Sequence, residues 1–186
     1  MTLFSGALSL LACARTTGRS PADDQVYAAA LDSLYPGNAS SGTLFIQDST
    51  SCRPWVSDSP ETYIACHRSR LPGVDARTMR LLLASGSESL RLPEHLPIRR
   101  PYTWIRTTDV RRIGTFQAGW DSFTREHPGN PLIARLSSIV YSKDGQRALL
   151  YETSMCPGLC GGGAFVALRR NAAAWLVVGI SGDWAS

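Results

Sequence analysis

From residue 116 to residue 184 the alternation of hydrophobic and polar positions describes a complete packing unit. Phe116, Trp120 and Phe123 recur three or four residues apart, the spacing of one buried helical face. Residues 136–142 and 146–153 then read as strands. They are joined through Lys143-Asp144-Gly145, where Asp-Gly supplies the positive φ of a tight hairpin. Residues 164–169 and 174–180 form a second pair across Arg170-Asn171-Ala172. The expectation is a helix followed by a four-stranded antiparallel meander.

The upstream pattern predicts helices with short strands between them. Ser20-Pro21 followed by Asp23 and Asp24 places a cap, a first-turn proline and negative charge at the positive end of a helix dipole. Val26, Tyr27, Ala30, Leu31 and Leu34 share one face of that helix, and Pro36-Gly37 ends it. Residues 43–47 read as a strand leaving through the turn-rich Asp48-Ser-Thr-Ser-Cys52. Cap signals at Ser59-Pro60-Glu61 and at Asp75 open helices over 59–68 and 75–84. Prolines 93, 97 and 101 break any long element before a strand at 102–106. Residues 20–186 thus read as a single α+β domain, its N-terminal helices packed on a curved antiparallel sheet that ends in the meander.

Length and composition agree with one domain, since 186 residues with 44% hydrophobic residues can bury a core. The net charge of +4 is carried almost wholly by arginine, Lys143 being the one lysine. No basic helix, aromatic ladder or run longer than Arg99-Arg100 or Arg111-Arg112 accompanies it, so no nucleic-acid partner is implied.

Residues 3–12 are apolar or small and run into Cys13, too short for a membrane span and suited to a signal-peptide core. Leu10-Leu11-Ala12-Cys13 resembles the lipobox of bacterial lipoproteins, in which the cysteine receives diacylglycerol and becomes the new N-terminus. The resemblance implies a signal peptide over 1–12 and a tether over 13–19. It also implies a periplasmic domain held to the outer membrane by the lipid on Cys13. A buried N-terminal helix is the competing reading, and the polar, aperiodic residues 14–21 argue against it.

Candidate chemistry is sparse. His67, His95 and His127 have no second ligand at metal spacing, and no metal or cofactor is implied. The serine-hydrolase elbow is absent. Glu152 is the one carboxylate inside an apolar run, where burial would raise its pKa and fit it for general-acid work, although an exposed edge position or a pair with a neighbouring arginine is the favoured account. Gly161, Gly162 and Gly163 could form an anion-binding nest, but no phosphate-loop lysine follows, and a plain loop between strands is the favoured account. With Cys13 lipidated, four cysteines remain in an oxidising compartment, and proximity pairs Cys52 with Cys66 and Cys156 with Cys160.

A further resemblance covers about a third of the chain. Trp120, Phe123, Pro128, Leu136-Ser137, Tyr141, Ala148-Leu-Leu-Tyr151, Leu159-Cys-Gly161, Gly163, Leu168, Trp175 and Trp184-Ala-Ser are similar to the C-terminal block of uncharacterised exported bacterial proteins. That resemblance implies no activity. Helix plus curved sheet also resembles cystatin-like folds, which host enzymes and binding modules alike. The favoured reading is a lipid-anchored periplasmic module binding a protein or another envelope component. The alternatives are a small envelope hydrolase or isomerase using Glu152 with a histidine in the sheet's concavity, and a thiol-disulfide protein using Cys156 and Cys160.

Overall fold

The computed structural model describes residues 21–36, 42–52, 54, 56, 59–85, 89–114, 117–158, 160–172 and 174–185. The expected signal peptide at 1–12, the tether at 13–19, Cys13 and Phe116 lie outside them. No described helix is long and apolar enough to cross a membrane.

The described residues form five helices and a seven-stranded mixed sheet, so the fold is α+β. The helices are α1 (Pro21–Leu34), α2 (Pro60–Arg68), α3 (Ala76–Ser85), α4 (Thr107–Ile113) and α5 (Gln117–Glu126). The strands are β1 (Leu44–Gln47), β2 (Tyr102–Ile105), β3 (Leu132–Leu136), β4 (Val140–Tyr141), β5 (Arg147–Met155), β6 (Gly161–Asn171) and β7 (Ala174–Ala185). They lie in the order β2-β1-β3-β5-β6-β7, with β4 also beside β5.

The expected antiparallel character holds for β3 to β7 and fails for β1, which runs parallel to both β2 and β3. Parallel neighbours need long crossovers. The helical segments α2–α3 and α4–α5 supply them.

Local chemistry explains the elements. Ser59 caps α2 by accepting the Thr62 N–H at 3.3 Å, and Asp75 opens α3 by accepting the Thr78 N–H at 2.7 Å. Gly145, at φ 67°, makes the β4–β5 turn. The single strand expected over 136–142 is broken after Leu136, where Ser137 replaces a ladder position with its side chain. Its Oγ accepts the Tyr151 N–H at 2.8 Å and its carbonyl accepts the Tyr27 hydroxyl at 2.9 Å. The break lets β3 and β4 share one edge of β5 at different registers.

Alternation along the strands sorts side chains onto two faces. Leu44, Ile46, Ala134, Leu150 and Val166 pack with α1 through Val26, Ala30 and Leu31. On the other face, Leu149, Tyr151 and Phe165 meet Ile64, Met79 and Leu82 of α2 and α3. Phe45, Ile105 and Ile133 meet Val110, Trp120 and Phe123 of α4 and α5.

Candidate functional site

Glu152 sits on the α1 face of β5, one residue on from Tyr151, which points to the opposite face. It is 4% exposed, and its Oε1 accepts the hydroxyl of Tyr35, the residue that follows α1. Burial pushes its carboxyl up to about 7, against the opposing pull of the Tyr35 hydroxyl. Burial, and then the Glu152 carboxylate, hold Tyr35 far above the ordinary tyrosine range. The partnership of Glu152 with a histidine that the alternative enzyme reading needs does not form. His67 lies on the opposite face, His95 is exposed beside Tyr102, and His127 stacks on Phe45 and Phe123 at 4.8 and 4.7 Å.

His67 instead joins a network that sequence spacing hid. Between Gly163 and Ala164 the β6–β7 register shifts, so Trp184 and Gly182 have partners while Asp183 is extra. Such a bulge re-aims side chains. Asp183 Oδ1 lies 3.4 Å from His67 Nε2, and Oδ2 accepts the Tyr151 hydroxyl at 2.6 Å. The Tyr151 oxygen accepts the Trp184 indole N–H at 3.0 Å, and Ser181 Oγ meets His67 Nδ1 at 2.9 Å.

Serine, histidine and aspartate are therefore in contact, but a nucleophile must meet its substrate. Ser181 is 1% exposed, and the His67 ring packs on Phe165 at 4.7 Å. The set works as a clasp between α2 and the end of β7. Burial holds His67 below its ordinary pKa despite the opposing effect of Asp183.

The glycines 161–163 are not a loop. They are the first residues of β6, paired with Met155, Ser154 and Thr153. The reason for a glycine is clear at 163, where an added Cβ would collide with the Tyr151 hydroxyl and the Trp184 ring nitrogen. The glycine admits the clasp to the sheet. Ladder pairing leaves no concavity of N–H groups there for an anion.

Cys156 and Cys160 are bonded, as expected, in the β5–β6 connection. Cys52 and Cys66 are not. Cys52 is 4% exposed beneath β3 and β5, its thiol directed at the carbonyls of Arg135 and Tyr151 at 3.2 and 3.3 Å, whereas Cys66 is exposed on α2. Burial pushes the Cys52 thiol up to about 12, with nearby Arg135 pulling it back. Among the described residues no group of three His, Cys, Asp or Glu could hold a metal ion.

A groove of ≈ 610 Å³ lies between β2 and the α4–α5 pair. Phe45, Ile105, Ile113 and Phe123 give it apolar walls. Arg106, Asp109, Arg112, Glu126 and His127 line it with charge and hydrogen-bonding groups, Arg112 pairing with Asp109 at 3.3 Å. Residues 103–106 line it in unbroken sequence, and among the described residues β2 is the terminal strand of the sheet, paired only with β1. Sequence reasoning missed this groove, because α4 has only Val110 and Ile113 as buried positions and β2 is four residues long. Compared with protein-family models, with curated proteins and with solved structures, the chain matches none.

Proposed function

We propose that this protein is a lipid-anchored envelope-binding module whose ligand is an extended polypeptide segment laid beside β2. The observation that carries the reading is the coincidence of a terminal strand with a groove: residues 103–106 line a cleft walled by Phe45 and Phe123. An added strand takes affinity from main-chain hydrogen bonds and specificity from side-chain pockets. Both are provided on one surface here. The lipobox resemblance at Cys13 and the Cys156–Cys160 disulfide support an oxidising, membrane-proximal setting.

Two experiments test this. Ser122 is exposed on α5 and lines the groove, so Ser122→Trp fills the cleft without touching the core. Peptides selected from a random displayed library on the wild-type protein should lose about tenfold or more in affinity for this variant, an equilibrium change of at least about 1.4 kcal/mol, with its melting temperature unchanged. Selected peptides whose amide-shift footprint falls on β7 instead would refute the groove. Separately, Cys13→Ser should abolish fatty-acid incorporation and release the protein from the membrane fraction; unaltered partitioning would remove the anchor.

A further inference from the structure

Within the apolar strand Leu132-Ile-Ala-Arg135-Leu136 one position is a guanidinium, and its surroundings are unusual for a half-buried charge. Arg135 lies at the carboxyl ends of the three parallel strands, where Gln47 closes β1, Thr107 follows β2, and the order β2-β1-β3 sends the chain to either side of β1. In open sheets with parallel strands, ligands settle at such a reversal, outside the carboxyl ends.

The side chain is held for binding. Arg135 Nε donates to Gln47 Oε1 at 3.0 Å, and Gln47, 1% exposed, is fixed in turn by donating to Ser51 Oγ at 2.6 Å and Thr107 Oγ1 at 3.0 Å. The fork beyond Nε is poorly served. Among the described residues Nη1 meets only the Met155 thioether at 3.9 Å, and Nη2 reaches the carbonyl and Oγ of Ser51 at 3.4 Å each. None of the ion pairs among the described residues includes Arg135. The neighbouring carboxylate, Asp48, accepts the Thr107 N–H and hydroxyl at 3.0 and 2.8 Å.

Two further donors stand beside the fork. Thr153 is the direct cross-strand partner of Arg135, so it shares its face. It is 7% exposed, and its buried Oγ1 meets no oxygen or nitrogen acceptor; the polar atom beside it is the sulfur of Cys52, a weak acceptor. Ser51 Oγ accepts from Gln47 and Arg135, which leaves its own proton to donate. A buried hydroxyl without a partner costs about 1–3 kcal/mol, and a planar guanidinium fork matches a carboxylate or phosphate bidentately.

We propose that the carboxyl ends of β1 and β3 form a binding site for an oxyanion, the carboxylate or phosphate group of a small ligand, with Arg135 as its receptor and Ser51 and Thr153 as flanking donors. The site is separate from the β2 groove. In the ¹⁵N-labelled full chain, the Arg135 Nε–Hε resonance should shift saturably with inorganic phosphate or with citrate at constant ionic strength, and not with chloride. Saturation by phosphate alone identifies a phosphate site, and by citrate alone a carboxylate site.

Arg135→Lys keeps the charge but loses the fork, and should weaken binding about tenfold or more. Thr153→Val is near-isosteric and removes only the weak contact to the Cys52 sulfur. It should weaken binding without lowering the melting temperature, and it carries the test if the arginine variant does not fold. An equal, unsaturable drift with phosphate, citrate and chloride would overturn the proposal, as would undiminished affinity in Thr153→Val.

Discussion

Replacing Glu152 by glutamine should make the protein more stable at neutral and alkaline pH. The wild-type carboxyl has an ordinary pKa of 4.5 and one of about 7 in the folded chain. The native state therefore holds the proton more tightly than the unfolded state does. Below pH 4.5 both states are protonated and the stabilisation is complete; it is lost progressively as pH rises through about 7. At 1.36 kcal/mol per unit of pKa, the loss is about 3 kcal/mol. A glutamine cannot ionise, and its amide oxygen can still accept the Tyr35 hydroxyl.

Urea unfolding of the two proteins across this range should show a stability difference that is constant below pH 4.5 and grows by about 3 kcal/mol by about pH 8. That corresponds to about 6–12 °C in melting temperature for a chain of this size. His67 contributes with opposite sign. Its lowered pKa gives stability present above its ordinary value of 6.5 and lost as pH falls, and subtracting the variant's curve from the wild type's removes it. Parallel curves across the range would mean that Glu152 titrates as a solvated carboxylate, and the reasoning from burial would fail.

Trp120→Ala removes a ring that is 5% exposed and packs edge-on against Phe123 at 5.9 Å, so unfolding should become easier by about 3–5 kcal/mol; a melting temperature near wild type would contradict its place in the core. Gly163→Ala drives a methyl into the Tyr151–Trp184 contact and should cost about 1–3 kcal/mol, with altered near-ultraviolet dichroism from Trp184; an unchanged spectrum would show that the clasp has slack. Iodoacetamide should label Cys66 in the native protein and Cys52 only after unfolding, as read by peptide mass mapping; a Cys52–Cys66 cross-linked peptide would restore the pairing expected from proximity.

What the sequence made legible was local chemistry. α1 opens on Pro21, α2 on the Ser59 cap and Pro60, and α3 behind Asp75, while the β4–β5 turn falls at Asp144-Gly145. The pairing of β1 with β2 and β3 was hidden, because four- and five-residue strands carry no mark of partners far along the chain. Three glycines read as a loop because glycine disfavours strands, and the tertiary requirement of the Tyr151–Trp184 pair overrode that preference at 163. Glu152 was found by the rule that a charge inside an apolar strand is informative. The same rule, applied to Arg135, would have singled out that residue as well.

The parallel pairing of β1 also bears on how the chain reaches its fold. Leu44 cannot find Leu132 until well past the middle of the polypeptide is available, nor α1 its packing surface on β6 and β7 until nearly all of it is, whereas β4 to β7 are joined by short connections. Loop closure must precede the reward of non-local contacts, so such pairings form late. In a chain that emerges from its N-terminus, Val26, Leu31, Leu44 and Ile46 stay uncovered through most of its appearance. They become the surface on which a holding chaperone, or premature aggregation, would act.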